Sequence, residues 1–180
     1  MSTPAHRAAV RDKVAEILRA GMPQVDGRVF RARTWPLQEK DYPALLVYGW
    51  EEELKRTGGN AARTFFEARF ILAVEARVQD RSRDAEEVEA ELEELTGAVR
   101  DLVLTSPELL LAPGRMVERF DGVKTTLGID TKSSEVAVGR GLIAFEIVWP
   151  ETFEVPAPAT DCGCDDTSLA LRPVPAPPAP

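Results

Sequence analysis

The 180-residue sequence has one histidine, two cysteines, few aromatic residues and no apolar run long enough to span a bilayer. Each scarcity excludes something. His6 is the single histidine and falls in the first turn of a helical segment. A Ser–His–Asp or Cys–His site needs an imidazole held in a cleft by an orienting acid, so His6 reads as a solvated surface residue. Cys162 and Cys164 stand one residue apart in "DCGCDD" and cannot staple a fold, so nothing asks for an oxidising compartment. Structural zinc takes four ligands in paired clusters, and no second pair accompanies them. No glycine-rich phosphate loop occurs; "TGGN" at Thr57–Asn60 reads as a glycine pair between two strands. The N-terminal "MSTPAHRAAVRDKV" lacks the apolar stretch of a secretory signal, so the expectation is a chain made and kept in the cytoplasm.

Positive charge is also short. Lys and Arg number 22 against 30 Asp and Glu, giving a net charge of -8 and a pI near 4.8. A sequence-independent grip on nucleic acid needs clustered cations that displace counterions from phosphates, and anionic membranes ask for the same. Neither partner is expected. What is present, 44% apolar and 29% charged residues, suits one globular domain with a core of useful size.

The order of elements follows from periodicity. Thr3 and Pro4 suit the N-cap and first position of a helix. Val10, Val14, Ile17 and Leu18 form its apolar stripe, and Gly21 suits the left-handed position past its end. "GRVFRARTW" reads as a strand with one wet face. Pro43 suits a strand start, and Ala44–Tyr48 is apolar throughout, as in a strand covered on both faces. "EEELKRTGGNAAR" reads as a loop. "FFEARFILAVEARV" alternates over its length, with Phe66, Ala68, Phe70, Leu72, Val74, Ala76 and Val78 on one face. Asp84 suits an N-cap for a helix whose seam is Val88, Leu92, Leu95, Val99 and Leu102, with Glu86 and Glu87 placed favourably in its first turn. "SPELLL" is a short helical turn, and "GRMVERFDGVKTTLGID" one or two strands broken near "DG". "GRGLIAFEIVWPE" is a strand apolar on both faces. From about Pro156 the chain turns Pro- and Ala-rich and reads as an extended tail. The predicted class is α+β: a mostly antiparallel sheet of four to six strands with two main helices on one face, over residues 1–155, followed by the tail 156–180.

No residue is assigned to catalysis, to a metal or to a cofactor. The acids from Glu86 to Glu94 are spread around a helix, not gathered in a folded loop, and read as a solvated face. Trp35, Trp50 and Trp149 read as packing groups. What stands out is surplus apolar surface. The second face of the long strand keeps Phe65, Ile71 and Ala73, and the closing strand has two apolar faces, of which Ile143, Phe145 and Trp149 are assigned to a partner. A patch of this kind is rarely left in water, and copies of the same chain are its simplest cover. The loop residues Glu51, Glu52, Glu53, Lys55, Arg56, Gly58 and Gly59 are assigned to axial docking.

The N-terminal helix followed by "GRVFRARTWPLQEKDYPALLVYGWEEE", the strand "RTFFEARFILAVEARV", the single long acidic helix and the closing "GRGLIAFEIVWPETF" together resemble the tail-terminator proteins of long-tailed phages, the minor tail protein U group. The resemblance covers about Met1–Val155; the proline-rich tail departs from it. It implies a structural virion protein with no reaction: a ring, typically a hexamer, that caps the tail tube, stops its polymerisation and presents a surface to the head. The implied partners are further copies, the tail-tube protein, a head-completion or connector protein and the tape-measure protein, with DNA passing through unbound, at the head-proximal end of the tail and in the host cytoplasm during assembly. An acidic ring agrees with that passage, since a basic lumen would hold the phosphates. Two alternatives remain: another head–tail completion protein, and a small oligomeric enzyme or ligand-binding domain.

Overall fold

The computed structural model describes residues 3–32, 37–80, 85–111, 115–130 and 137–156. Trp35, the Asp84 cap and the tail with Cys162 and Cys164 lie outside the described residues. The fold is α+β. Helices α1 (Thr3–Gly21) and α2 (Ala85–Leu104) cover one face of a five-stranded sheet, and a single helical turn, α3 (Pro107–Leu110), follows α2. The strands are β1 (Val29–Phe30), β2 (Ala44–Gly59), β3 (Arg63–Asp80), β4 (Arg119–Asp130) and β5 (Ala137–Glu154). Their order is β1-β2-β3-β5-β4; β1 lies parallel to β2 and all other pairs are antiparallel.

The apolar stripes dock where their spacing places them. Val10, Val14, Ala15 and Leu18 of α1 are buried, with Ile17 at the margin, and α2 buries Val88, Leu92, Leu95, Val99 and Val103. These meet the even-numbered positions Ala68–Val78 of β3, together with Leu45 and Val47 of β2 and Ile143, Phe145, Ile147 and Trp149 of β5. Removing surface of this kind from water is the main favourable term in folding, roughly 25 cal/mol per Å². No described helix is long and apolar enough to cross a membrane.

Several expectations are corrected. Ile143, Phe145 and Trp149 belong to this helix-covered core and offer nothing to a partner. Their register decides it: they pair with Val74, Leu72 and Ala68, whereas Leu142 and Ala144 pair with Glu75 and Ala73 on the opposite face. Ala44–Tyr48 is buried within the chain itself. Leu46 and Tyr48 form a second, small cluster with Ala73, flanked by Phe30 and Leu142, so no neighbouring subunit is needed to cover them. The strand expected over "GRVFRARTW" is two residues long, Val29–Phe30, facing Leu45 and Leu46. Gly21 lies inside α1; a Cβ there would come within 2.9 Å of Leu102, so its smallness serves helix contact. The left-handed turn comes later, at Asp26 and Gly27. Asp121–Gly122 does interrupt β4, as a register shift against β5.

The close approach of α2 to β5 rests on two glycines. A Cβ at Gly139 would meet Val88 at 2.5 Å and Leu92 at 2.8 Å, and one at Gly141 would meet Thr96 at 2.6 Å. Gly139→Ala is expected to destabilise the chain by roughly 1–3 kcal/mol, the usual cost of overpacking. Denaturant unfolding measures it; an unchanged midpoint would show that α2 is free to shift outward.

Open sheet face and projecting arm

The face of the sheet away from the helices has three zones, set by alternation along β2, β3, β5 and β4. At one end a single carboxylate holds three donors. Glu75 is 1% exposed; the Tyr48 hydroxyl donates to its Oε2 at 2.9 Å, Arg140 to Oε2 at 2.9 Å and Arg77 Nε to Oε1 at 2.8 Å. A buried charge is tolerated only when partnered in this way. Burial pushes the Tyr48 phenol above its ordinary range, with the Glu75 hydrogen bond acting the same way.

At the other end lie two arginines and three acids. Arg119 donates to Glu67 at 2.9 Å and to Asp121 at 2.6 Å, while Arg69 reaches Glu67 at 3.3 Å and Glu146 at 3.4 Å. The hydrogen bond from Arg119 holds the Glu67 carboxyl below its usual range. Between the two charged zones the face is apolar. Trp50, Ile71, Leu142 and Ala144, with Lys124 and Thr126 at the β4 edge, line a shallow cavity of about 270 Å³. Trp50 is 46% exposed.

The sheet also reaches past its helices. The segment expected to be a loop continues β2 in an unbroken strand to Gly59, because β3 is long enough to pair with all of it. Charge had suggested a solvated connection, but a strand with both faces in water is charged for the same reason. Residues 53–57 are exposed throughout. The arm turns at Asn60, whose side chain accepts from the backbone of Ala62 and Arg63, both at 2.9 Å. Gly59 sits at φ 112°, where a Cβ would run into the Arg63 carbonyl, so glycine is required there. The end of β5 forms the third strand of the arm, closed by an Arg63–Glu154 ion pair and by Val155 donating to Ala62 at 2.9 Å. Phe65 and Leu54 stand on opposite faces of the arm, 41% and 38% exposed.

Of the residues assigned from sequence to a partner surface, Phe65, Ile71 and Ala73 share the open face, although Ala73 is already buried. Glu51, Glu53, Lys55, Arg56, Gly58 and Gly59 lie on the arm. Glu52 points instead to the helix side and pairs with Arg7 of α1 at 3.2 Å. Trp50, Leu142 and Ala144 were not singled out as a patch; Leu142 and Ala144 were legible as one face of β5, but Trp50 sits at a register shift after an apolar run without alternation, and which faces meet depends on the pairing of the strands.

Beneath the first turns of α1 lies a group that corrects the expectation of a solvated His6. His6 is half-buried rather than free: its Nε2–H donates to the Met116 carbonyl at 2.9 Å, and its ring lies 4.7 Å from that of Trp149. The Glu151 carboxylate, Glu52 Oε1 and Trp149 Nε1 are buried without a hydrogen-bond partner. Burial raises the Glu52 pKa above its ordinary 4.5, Arg7 opposes this, and Glu151 adds to it. A carboxyl raised in the folded state favours folding at low pH and costs stability as pH rises through its folded value. Glu52→Gln is therefore expected to raise the melting temperature at neutral pH and to leave it unchanged below the ordinary carboxyl range. A lower melting temperature at pH 7 would mean that the Arg7 ion pair outweighs the burial.

No protein-family model matches this chain, and no curated protein matches it in sequence. One of the solved chains that match is 17% identical, aligned over 87% of this chain and 99% of its own, with a TM-score of 0.37. A likeness at that level carries no argument about function.

Proposed function

We propose that the protein is a structural virion component: copies close into a ring that caps the tail tube of a long-tailed phage, ends its polymerisation and receives the head. The reading combines the resemblance of residues 1–155 with one observation. Between two charged zones the sheet carries an apolar centre, Ile71, Leu142 and Ala144 partly exposed with Trp50 at 46%, beside an arm that extends beyond the helices. Interaction surfaces take this form, an apolar middle with a polar rim. The arm supplies the axial reach that docking on a preformed ring requires, and its exposed Glu53, Lys55 and Arg56 set register and encounter rate.

The test is tube assembly in the presence of the protein. Tube subunits polymerised with increasing amounts of it are expected to give tubes that stop growing and carry a ring at one end. Tubes that grow on unaltered, with the protein left in solution, would refute the reading.

A further inference from the structure

Among the described residues the sheet ends in two edges that no further strand continues. β4 is the last strand in the order, and β1 covers β2 only at Leu45 and Leu46, so among the described residues the rest of β2 has no strand on its outer side. Such edges are templates for pairing with another chain. We propose, on the premise of a ring, that the β4 edge of each copy pairs antiparallel with the β2 edge of the next, making one sheet continuous through neighbouring subunits.

The direction of the strands makes this pairing available to a ring. Successive antiparallel steps from β2 through β3 and β5 leave β4 running opposite to β2. A neighbour of the same polarity therefore presents its β2 antiparallel to β4, the head-to-tail kind of contact from which rings are built when the rotation between copies closes.

One register satisfies both faces. With Lys124 opposite the neighbour's Glu53, opposite charges meet on the open face, where Lys124 pairs in its own copy with Ala144 and Glu53 with Arg69. The next residues, Val123 and Leu54, then meet on the helix side. Both are large apolar side chains left 36% and 38% exposed. The same register carries the row Glu53–Arg69–Val148–Arg119 to the neighbour's Gly58, because the bulges at Asp121 and Thr57 fall together. Skipping the bulge, that climb is one rung for each strand crossed. A shear equal to the strand number belongs to closed sheets with strands tilted by about 36°. Edge pairing also brings the neighbour's β2 beside Thr126, with Glu51 opposite it, so the open faces of successive copies join into one surface.

Disulfide trapping in the full chain, with Cys162 and Cys164 replaced by Ser, tests the edge directly. Two in-register pairs are made, Lys124→Cys with Glu53→Cys and Thr126→Cys with Glu51→Cys. Within one copy these positions are separated by β3 and β5, roughly 14 Å or more at about 4.8 Å per strand, which no disulfide spans. Any bond is therefore between copies. The expected result on mild oxidation is loss of the monomer band to a ladder ending at the ring's copy number, while the out-of-register pair Thr126→Cys with Lys55→Cys stays monomeric. Native mass spectrometry of the same samples reports the ring independently. A ring whose chains stay unlinked in both in-register pairs overturns the edge pairing, assigning that edge to another protein's strand or to solvent, and leaves the ring reading standing. Absence of a ring, with and without tube protein, overturns both.

Discussion

Ile71→Lys is expected to leave the chain folded and, on the proposed reading, to abolish tail completion. Ile71 is half-buried at the middle of the open face, against Trp50, Leu142 and Ala144. In the isolated chain a lysine there lays its stem along the same apolar surface and keeps its ammonium in water, so the stability change stays within about 1 kcal/mol. Once a partner covers the patch, that ammonium is desolvated without a counter-charge, a cost of several kcal/mol at every copy. On the proposed reading the loss repeats around the ring, and no completed particles are expected. The readouts are the melting temperature of the purified variant and the yield of infectious particles from a strain that carries it. A normal yield would place the docking surface elsewhere.

Glu75→Ala is expected to have the largest effect on the fold. The carboxylate of Glu75 gathers Tyr48, Arg77 and Arg140 from three adjacent strands. Its removal leaves the buried Tyr48 hydroxyl without this acceptor and two guanidiniums crowded together with no negative charge between them. Breaking a fully buried pair from one side costs roughly 3–5 kcal/mol; with Arg77 and Arg140 29% and 56% exposed the cost falls toward the lower end, still a large share of the roughly 5–15 kcal/mol that holds a typical domain. Glu75→Gln keeps an acceptor for Tyr48 and is expected to cost less than the alanine. Denaturant unfolding of the two variants checks this; equal midpoints for alanine and wild type would mean that the arginines carry the site unaided.

Much of the fold was legible because period and length coincide. The seam of α2 and the alternation of β3 each admit one reading, and the order of elements follows from them. β5 was harder for a physical reason. It is apolar on both faces, so alternation alone leaves Ile143, Phe145 and Trp149 equivalent to Leu142 and Ala144; only its register against β3 separates core from surface. The arm was misread for a related reason. A strand that leaves its sheet's cover has no apolar face to advertise it, and Glu51–Arg56 looks like any solvated connection. The Tyr48–Glu75–Arg77–Arg140 group was invisible because its members come from three strands, and a glutamate inside an alternating strand gives no sign that it is buried. Of the apolar side chains on the open face, Phe65 and Ile71 were legible in the sequence, whereas Trp50, Leu142 and Ala144 emerged with the pairing.

Electron microscopy of the purified full-length protein, alone and mixed with tail-tube subunits, tests the central claim most directly. The account predicts closed rings of uniform copy number, six by the family resemblance, free or seated at one end of each tube. Monomers or two-fold dimers in both preparations, with tubes left uncapped, would contradict it.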